Sequence, residues 1–134
     1  IMDAEDARLA ADSGADALVV SNHGGRQLDG APSSIRALPD IVQAVGRDIE
    51  VWMDGGIRSG QDVLKARALG ARGTLIGRSF LYGLGAFGEA GVTRALQIIH
   101  KELDTTMAFC GRTDINTVDA SILLPGTYPV PVLG

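Results

Sequence analysis

One pattern occurs twice in this chain. Glu5-Asp6 through Ala10, Gly14-Ala15 and Val20-Ser21 aligns with Gln61-Asp62 through Ala66, Gly70-Ala71 and Ile76-Gly77. Each copy reads as a helix, a glycine stop, a short apolar strand and a polar loop. Short apolar strands separated by helices pair in parallel, because a hairpin cannot join them. A further strand, Val51-Trp52-Met53, lies between the copies. The chain is thus read as α/β with about three parallel strands. Polar, glycine-rich loops at the carboxyl ends of successive strands fit either a β/α barrel or a doubly wound sheet. The pattern alone does not separate the two.

The local signals set the expected elements. Asp3 caps a helix from Ala4 to about Asp12, with Asp6 in its first turn and Gly14 as a left-handed stop. Ala17 to Val20 is a buried strand. After a loop over 27–34 comes a helix from about Ile35 to Val45, with a break expected at Pro39. Ser59, with Asp62 three residues on, opens the next helix, which closes at Gly70; Thr74 to Ile76 is the third strand. The pattern is then helical to about Gly111, broken near Gly83, Gly85 and Gly88. Val92, Leu96, Ile99, Leu103 and Met107 form an apolar stripe in its second half. From Thr113 the tail reads as irregular, with an extended end at Pro125, Pro129 and Pro131. The first unit of the chain is therefore 1–112 and the tail 113–134.

The first strand runs into Ser21-Asn22-His23-Gly24-Gly25-Arg26-Gln27-Leu28-Asp29-Gly30. Gly24 and Gly25 allow a sharp turn and leave room for a ligand. His23 exchanges a proton near neutral pH, and the planar fork of Arg26 matches a carboxylate. The pair suggests a base and an anion clamp acting on one small acid. The next two strands end in Asp54-Gly55-Gly56-Ile57-Arg58 and Gly77-Arg78. Freed backbone amides, a helix start and an arginine make an anion cradle, and the sequence has this arrangement twice. Two arginines could bracket one phosphate.

Other classes are poorly supported. The net charge of −4 carries no basic run, so nucleic acid is not an expected partner. Cys110 is the single cysteine, which excludes an internal disulfide and fits a reducing compartment. No apolar run of about 18 residues marks a membrane span, no signal peptide is visible, and no metal site is read. His100, Arg36, Arg47 and Arg67 read as structural or solvated helix residues, and Trp52 as core rather than a ligand-stacking group. Asp29 reads equally as a support for Arg26 or a loop cap, and Cys110 as packing.

The Ser-Asn-His-Gly-Gly-Arg-Gln-Leu-Asp-Gly stretch, followed in order by Asp54-Gly-Gly-Ile-Arg58 and Gly77-Arg78, resembles the FMN-dependent 2-hydroxy acid oxidoreductases, over roughly residues 1 to 120. The family includes glycolate oxidase, mandelate dehydrogenase and bacterial L-lactate dehydrogenases. The resemblance chooses the (β/α)8 TIM barrel and implies that these strands are its sixth, seventh and eighth. It implies oxidation of an L-2-hydroxy acid, most closely L-lactate, to the 2-keto acid, with FMN as cofactor. By the same resemblance His23 is the catalytic base and Arg26 binds the substrate carboxylate. Ser21, Asp54, Gly55, Gly56, Arg58, Gly77 and Arg78 bind FMN, with Asp54 nearer the ribityl hydroxyls. The electron acceptor is quinone, cytochrome or oxygen, and an oxygen-using oxidase is the alternative within the class. A non-catalytic phosphate- or FMN-binding half-barrel is the alternative outside it. A homo-oligomer, or association with the rest of the barrel, is implied. So is a cytoplasmic location, with peripheral attachment at the inner membrane face open for the parent enzyme. Five barrel strands, the lysine and aspartate of the family site, a second substrate arginine and the pocket tyrosines are not in this sequence. The chain is thus expected to be a piece, inactive alone.

Overall fold

A computed structural model describes residues 1–132. The elements run α1 (Ala4–Asp12), β1 (Ala17–Val20), α2 (Ser34–Val45), β2 (Glu50–Met53), α3 (Gly60–Ala68), β3 (Gly73–Thr74) and α4 (Arg78–Phe109). The three strands are parallel and lie in chain order, with Val19 opposite Trp52 and Trp52 opposite Gly73. Ile1 bonds to the free edge of β1 as a parallel neighbour would: its amine donates to Val19 O at 3.0 Å and Ser21 N–H donates to Ile1 O at 3.3 Å.

Strand alternation decides which face is covered. Leu18, Val20, Val51 and Met53 are buried and share one core with Ala7 of α1, Leu38, Ile41 and Val45 of α2, and Ala66 of α3. Residues pointing the other way stay open; Val19 is 39% exposed. All three helices therefore cover the same face. A doubly wound sheet carries helices on both faces, whereas a barrel keeps them outside. Strand order and one-sided helices together favour the barrel.

The caps follow the sequence. The Asp3 carboxylate accepts from Glu5 and Asp6 N–H, Gly14 takes φ +88°, and Ser59 with Asp62 forms a reciprocal capping box. Three expectations differ. The helix α2 passes through Pro39 without a break. Pro39 removes one backbone donor, but Leu38, Pro39, Ile41 and Val45 are all buried, and this packing outweighs one lost bond. The third strand pairs at Gly73–Thr74, not over 74–76. Gly73 lies under the Trp52 ring, where any Cβ would come within 2.5 Å of it. Arg72 N–H to Val51 O at 2.7 Å and Leu75 N–H to Met53 O at 2.9 Å prolong the pairing by one bond at each end. In α4 the break falls at Phe87–Gly88 alone, where Gly88 takes φ +58°; Gly83 and Gly85 remain helical.

The tail is irregular but seated. Two 3-10 turns, Ile115–Thr117 and Ala120–Ile122, begin where Asp114 and Asp119 carboxylates accept the N–H two residues on. Val118 between them is buried with Leu64 and Ala68 of α3. Val132 N–H reaches Asp40 of α2 at 2.7 Å. Leu133 and Gly134 lie outside the described residues. The Ser121 hydroxyl, then the Ser121 backbone amide, hold the exposed Asp119 carboxyl below its ordinary 3.8. A lowered carboxyl stabilises the fold above its unfolded pKa and loses that contribution as pH falls through the folded value. The second turn is thus expected to loosen only below pH 3.8. A carboxyl carbon titration by NMR checks this: the midpoint lies below that of a Ser121→Ala chain.

Candidate active site

The loop after β1 carries the strongest local departure from ordinary backbone. His23 has φ +56°, the single non-glycine residue with positive φ among those described, and Gly24 and Gly25 follow at +65° and +71°. A left-handed histidine costs energy, of order 1–3 kcal/mol, and persists only when its surroundings hold it. The anchors are visible. Ser21 Oγ accepts His23 N–H at 3.2 Å, and Gly25 and Arg26 N–H bond back to Asn22 and His23 carbonyls. The Asp29 carboxylate accepts Gly30 N–H at 3.1 Å, so it caps its own loop and makes no ion pair with Arg26.

His23, Arg26, Asp54, Arg58, Gly77 and Arg78 all line one cavity of about 580 Å³ at the carboxyl ends of the strands. Ion pairs among the described residues are Arg72–Glu50 and Arg112–Asp119; none involves Arg26, Arg58 or Arg78. Three guanidinium groups without carboxylate partners thus border one space. Arg78 reaches toward the histidine loop: a Cβ on Gly24 would lie 3.8 Å from its Nη2.

The two expected anion cradles are not equivalent. At the start of α3, Asp62 Oδ2 accepts both Arg58 and Ser59 N–H at 3.0 Å, and Glu102 of α4 accepts Gly60 N–H at 3.0 Å. Carboxylates already occupy that helix end. The start of α4 is different. Gly77 precedes it with no side-chain cap and no acidic residue in the first turn. Its first bonded amides, Phe80 and Leu81, both donate to Gly77 O, leaving those of Arg78 and Ser79 toward the cavity end. Ser79 Oγ donates to Ile57 O at 2.9 Å and ties this helix start to the loop after β2. An anion is therefore better held by α4, Gly55–Gly56 and the two arginine side chains than by both helix ends.

The donor set fits FMN on two observations. Asp54 Oδ1 is buried with no hydrogen-bond partner, an acceptor suited to a ribityl hydroxyl. A Cβ on Gly56 or Gly77 would meet nothing within 4 Å, so the backbone there is open to a bulky phosphate. Trp52 does not line this cavity; its indole donates to Glu50 at 2.9 Å on its own strand.

The profile of the FMN-dependent dehydrogenase family matches residues 1–125. The chain belongs to this family. L-lactate dehydrogenase of Caulobacter vibrioides is 57% identical over 123 residues, 92% of this chain and 32% of that protein. L-lactate oxidase of Nostoc sp. is 50% identical, again over 92% of this chain and 34% of its own length. A crystal structure of mandelate oxidase superposes with a TM-score of 0.86 at 48% identity, over 90% of this chain and 36% of that one. The chain thus spans about a third of the length of the curated relatives it matches. Its strands are part of an FMN-dependent dehydrogenase barrel, in agreement with the one-sided helix layer.

Sequence reading missed several features of this FMN-dependent dehydrogenase site: the left-handed His23, the occupied start of α3, and the contacts of Asn22 and Ser34. A glycine pair after the histidine was the signal available for the first. Glu102 lies 42 residues from the amide it caps, and no local pattern marks it. Among the described residues no cluster of metal-ligating side chains is found, and no helix is long and apolar enough to cross a membrane.

Proposed function

We propose that this chain supplies the acid-binding and phosphate-binding loops of an FMN-dependent enzyme that oxidises an L-2-hydroxy acid, L-lactate in first place, to the 2-keto acid. The observation that carries the reading is the convergence of His23 with three unpaired arginines and the unpartnered Asp54 carboxylate on one cavity. Arg26 pairs with the substrate carboxylate and fixes its orientation. His23 takes a proton from the substrate as general base. The oxidation removes two electrons and two protons, and FMN, when bound, supplies the two-electron acceptor. Arg58, Arg78, Gly55, Gly56 and Gly77 would hold its phosphate, and Asp54 and Ser21 would bind its ribityl and ring portion. Quinone, cytochrome or oxygen then removes the electrons. The relatives support the reaction class more than the substrate, since lactate and mandelate enzymes are both close.

The test is a chimera in which this chain replaces the matching segment of the Caulobacter L-lactate dehydrogenase. A yellow protein that L-lactate bleaches without air is expected. Arg78→Ala should weaken FMN binding by roughly 10- to 100-fold, the worth of one charge-assisted hydrogen-bonding group. Bleaching by mandelate but not lactate would move the substrate assignment. A chimera that holds FMN yet responds to neither acid would overturn the reading.

A further inference from the structure

We propose that Ser34 is a positioning residue for His23, acting through the backbone of Asn22. The inference rests on the reading of His23 and Arg26 as substrate-binding groups. Among the described residues Ser34 is the one buried polar side chain, at 2% exposed. It is the first residue of α2, yet its hydroxyl does not serve that helix. The cap position belongs to Ser33, whose side chain makes no capping bond. Instead Ser34 Oγ accepts the N–H of Asn22 at 3.3 Å, from twelve residues earlier.

That bond closes the base of the histidine loop. The Asn22 side-chain amide donates to Pro32 O at 3.0 Å, so both ends of the loop between Asn22 and Ser34 are joined twice. His23, directly after Asn22, holds φ +56°. A residue with a Cβ keeps that conformation only where neighbouring bonds over-determine it. Ser34 is the deepest of those bonds, because its acceptor comes from the core face of α2 rather than from the loop itself.

Ser34 also sets the histidine loop against the loop that follows β2. A Cβ on Gly55 would lie 3.0 Å from Ser34 Oγ and 3.4 Å from Asn22 Oδ1, so the glycine backbone passes close over both groups. Asn22 Oδ1 is itself buried without a partner. A single buried hydroxyl thus registers the proposed substrate loop against the proposed cofactor loop. Removing it leaves the part-buried Asn22 N–H without an acceptor, and the loop finds a new resting place.

The experiment uses the whole 134-residue chain by NMR, as wild type, Ser34→Ala and Ser34→Thr. In Ser34→Ala the Asn22 amide should exchange with solvent about tenfold faster and the His23 ring signals should change, a loss on the scale of one hydrogen bond. The Asp54 amide, bonded to Val20 O in the sheet, should keep its protection and serves as the control for folding. L-lactate affinity, read at the His23 ring, should fall about tenfold, with FMN affinity within about twofold of wild type. Threonine, which keeps the hydroxyl, should restore exchange and lactate response. If alanine prevents folding, Ser34→Cys keeps the volume, weakens the acceptor and carries the same expectation. Unchanged His23 signals and lactate response in Ser34→Ala would overturn the proposal. So would an equal loss of FMN and lactate affinity, which marks a general packing role. If the wild-type chain alone answers to neither ligand, the ligand measurements move to the Caulobacter chimera, where failure with both acids overturns the functional reading and not the role of Ser34. Ser34 is then judged on Asn22 exchange and His23 signals alone, where no change overturns it and threonine-rescued loosening supports it.

Discussion

Replacing His23 with glutamine in the chimera is expected to slow bleaching by L-lactate by about 10²- to 10⁴-fold, the range that a positioned general base contributes. FMN should stay bound. Glutamine fills a similar volume and still forms hydrogen bonds, but it cannot accept a proton at neutral pH. The proposed phosphate grip sits on other loops, at Arg58 and Arg78, so cofactor content should not follow the rate. One confounding effect needs a control. His23 sits at φ +56°, and glutamine is a poor occupant of that region. Asparagine tolerates it better than most residues. His23→Asn should therefore lose the rate to a similar degree with less disturbance of the loop. A shared loss points to the missing base, whereas recovery in the asparagine protein points to backbone strain. Bleaching of His23→Gln at close to the parent rate would remove His23 from the chemistry altogether.

The residues that could be read in advance were those whose signal is local. Asp3, Ser59 and Asp62 announce helix starts because capping depends on a few adjacent residues, and each caps as expected. Gly14 and Gly70 announce helix ends because few other residues take positive φ. The His23 and Arg26 loop, the Asp54 to Arg58 loop and Gly77–Arg78 were found because each follows a strand, and the structure brings them to one cavity. What was not legible depends on distant partners. Pro39 looks like a break until four buried neighbours on α2 are known to hold the helix. The start of α3 looks like an anion site until Glu102 folds onto it. Ser34 looks like an ordinary first residue of a helix until Asn22 arrives above it. The pattern of elements left barrel and doubly wound sheet open; the family resemblance chose the barrel, and helices covering one face of the sheet agree with it.

Gly91→Ala is expected to lower the stability of the chain by about 3 kcal/mol or more, at or beyond the upper end of ordinary overpacking. The corner at Phe87–Gly88 folds α4 back so that Gly83 and Gly91 touch backbone to backbone. A Cβ on Gly91 would overlap Gly83 O and lie 2.5 Å from Gly83 C. Carbon and oxygen normally approach no closer than about 3.3 Å. The obstructing atoms are backbone, so no rotamer change relieves them. The two halves of α4 have to part, and they are not equally free to move. The second half is locked to α3, where Gly60 lies directly against the backbone of Glu102 and Leu103. The first half has no such backbone contact with α3, and its Leu81, Tyr82, Leu84 and Phe87 are open, so it is the half expected to move. It carries Gly77 and Arg78, so FMN affinity in the chimera should fall along with the melting temperature. Gly85→Ala is the matched control. A Cβ there meets nothing within 4 Å in a helical segment, and the change should be neutral or stabilising by about 0.5–1 kcal/mol. Thermal and urea unfolding of the two variants beside the parent chain decide it. A Gly91→Ala chain as stable as Gly85→Ala would mean that the corner does not hold α4 folded back in solution, and that the Arg78 cradle is positioned by Ser79 and Ile57 alone.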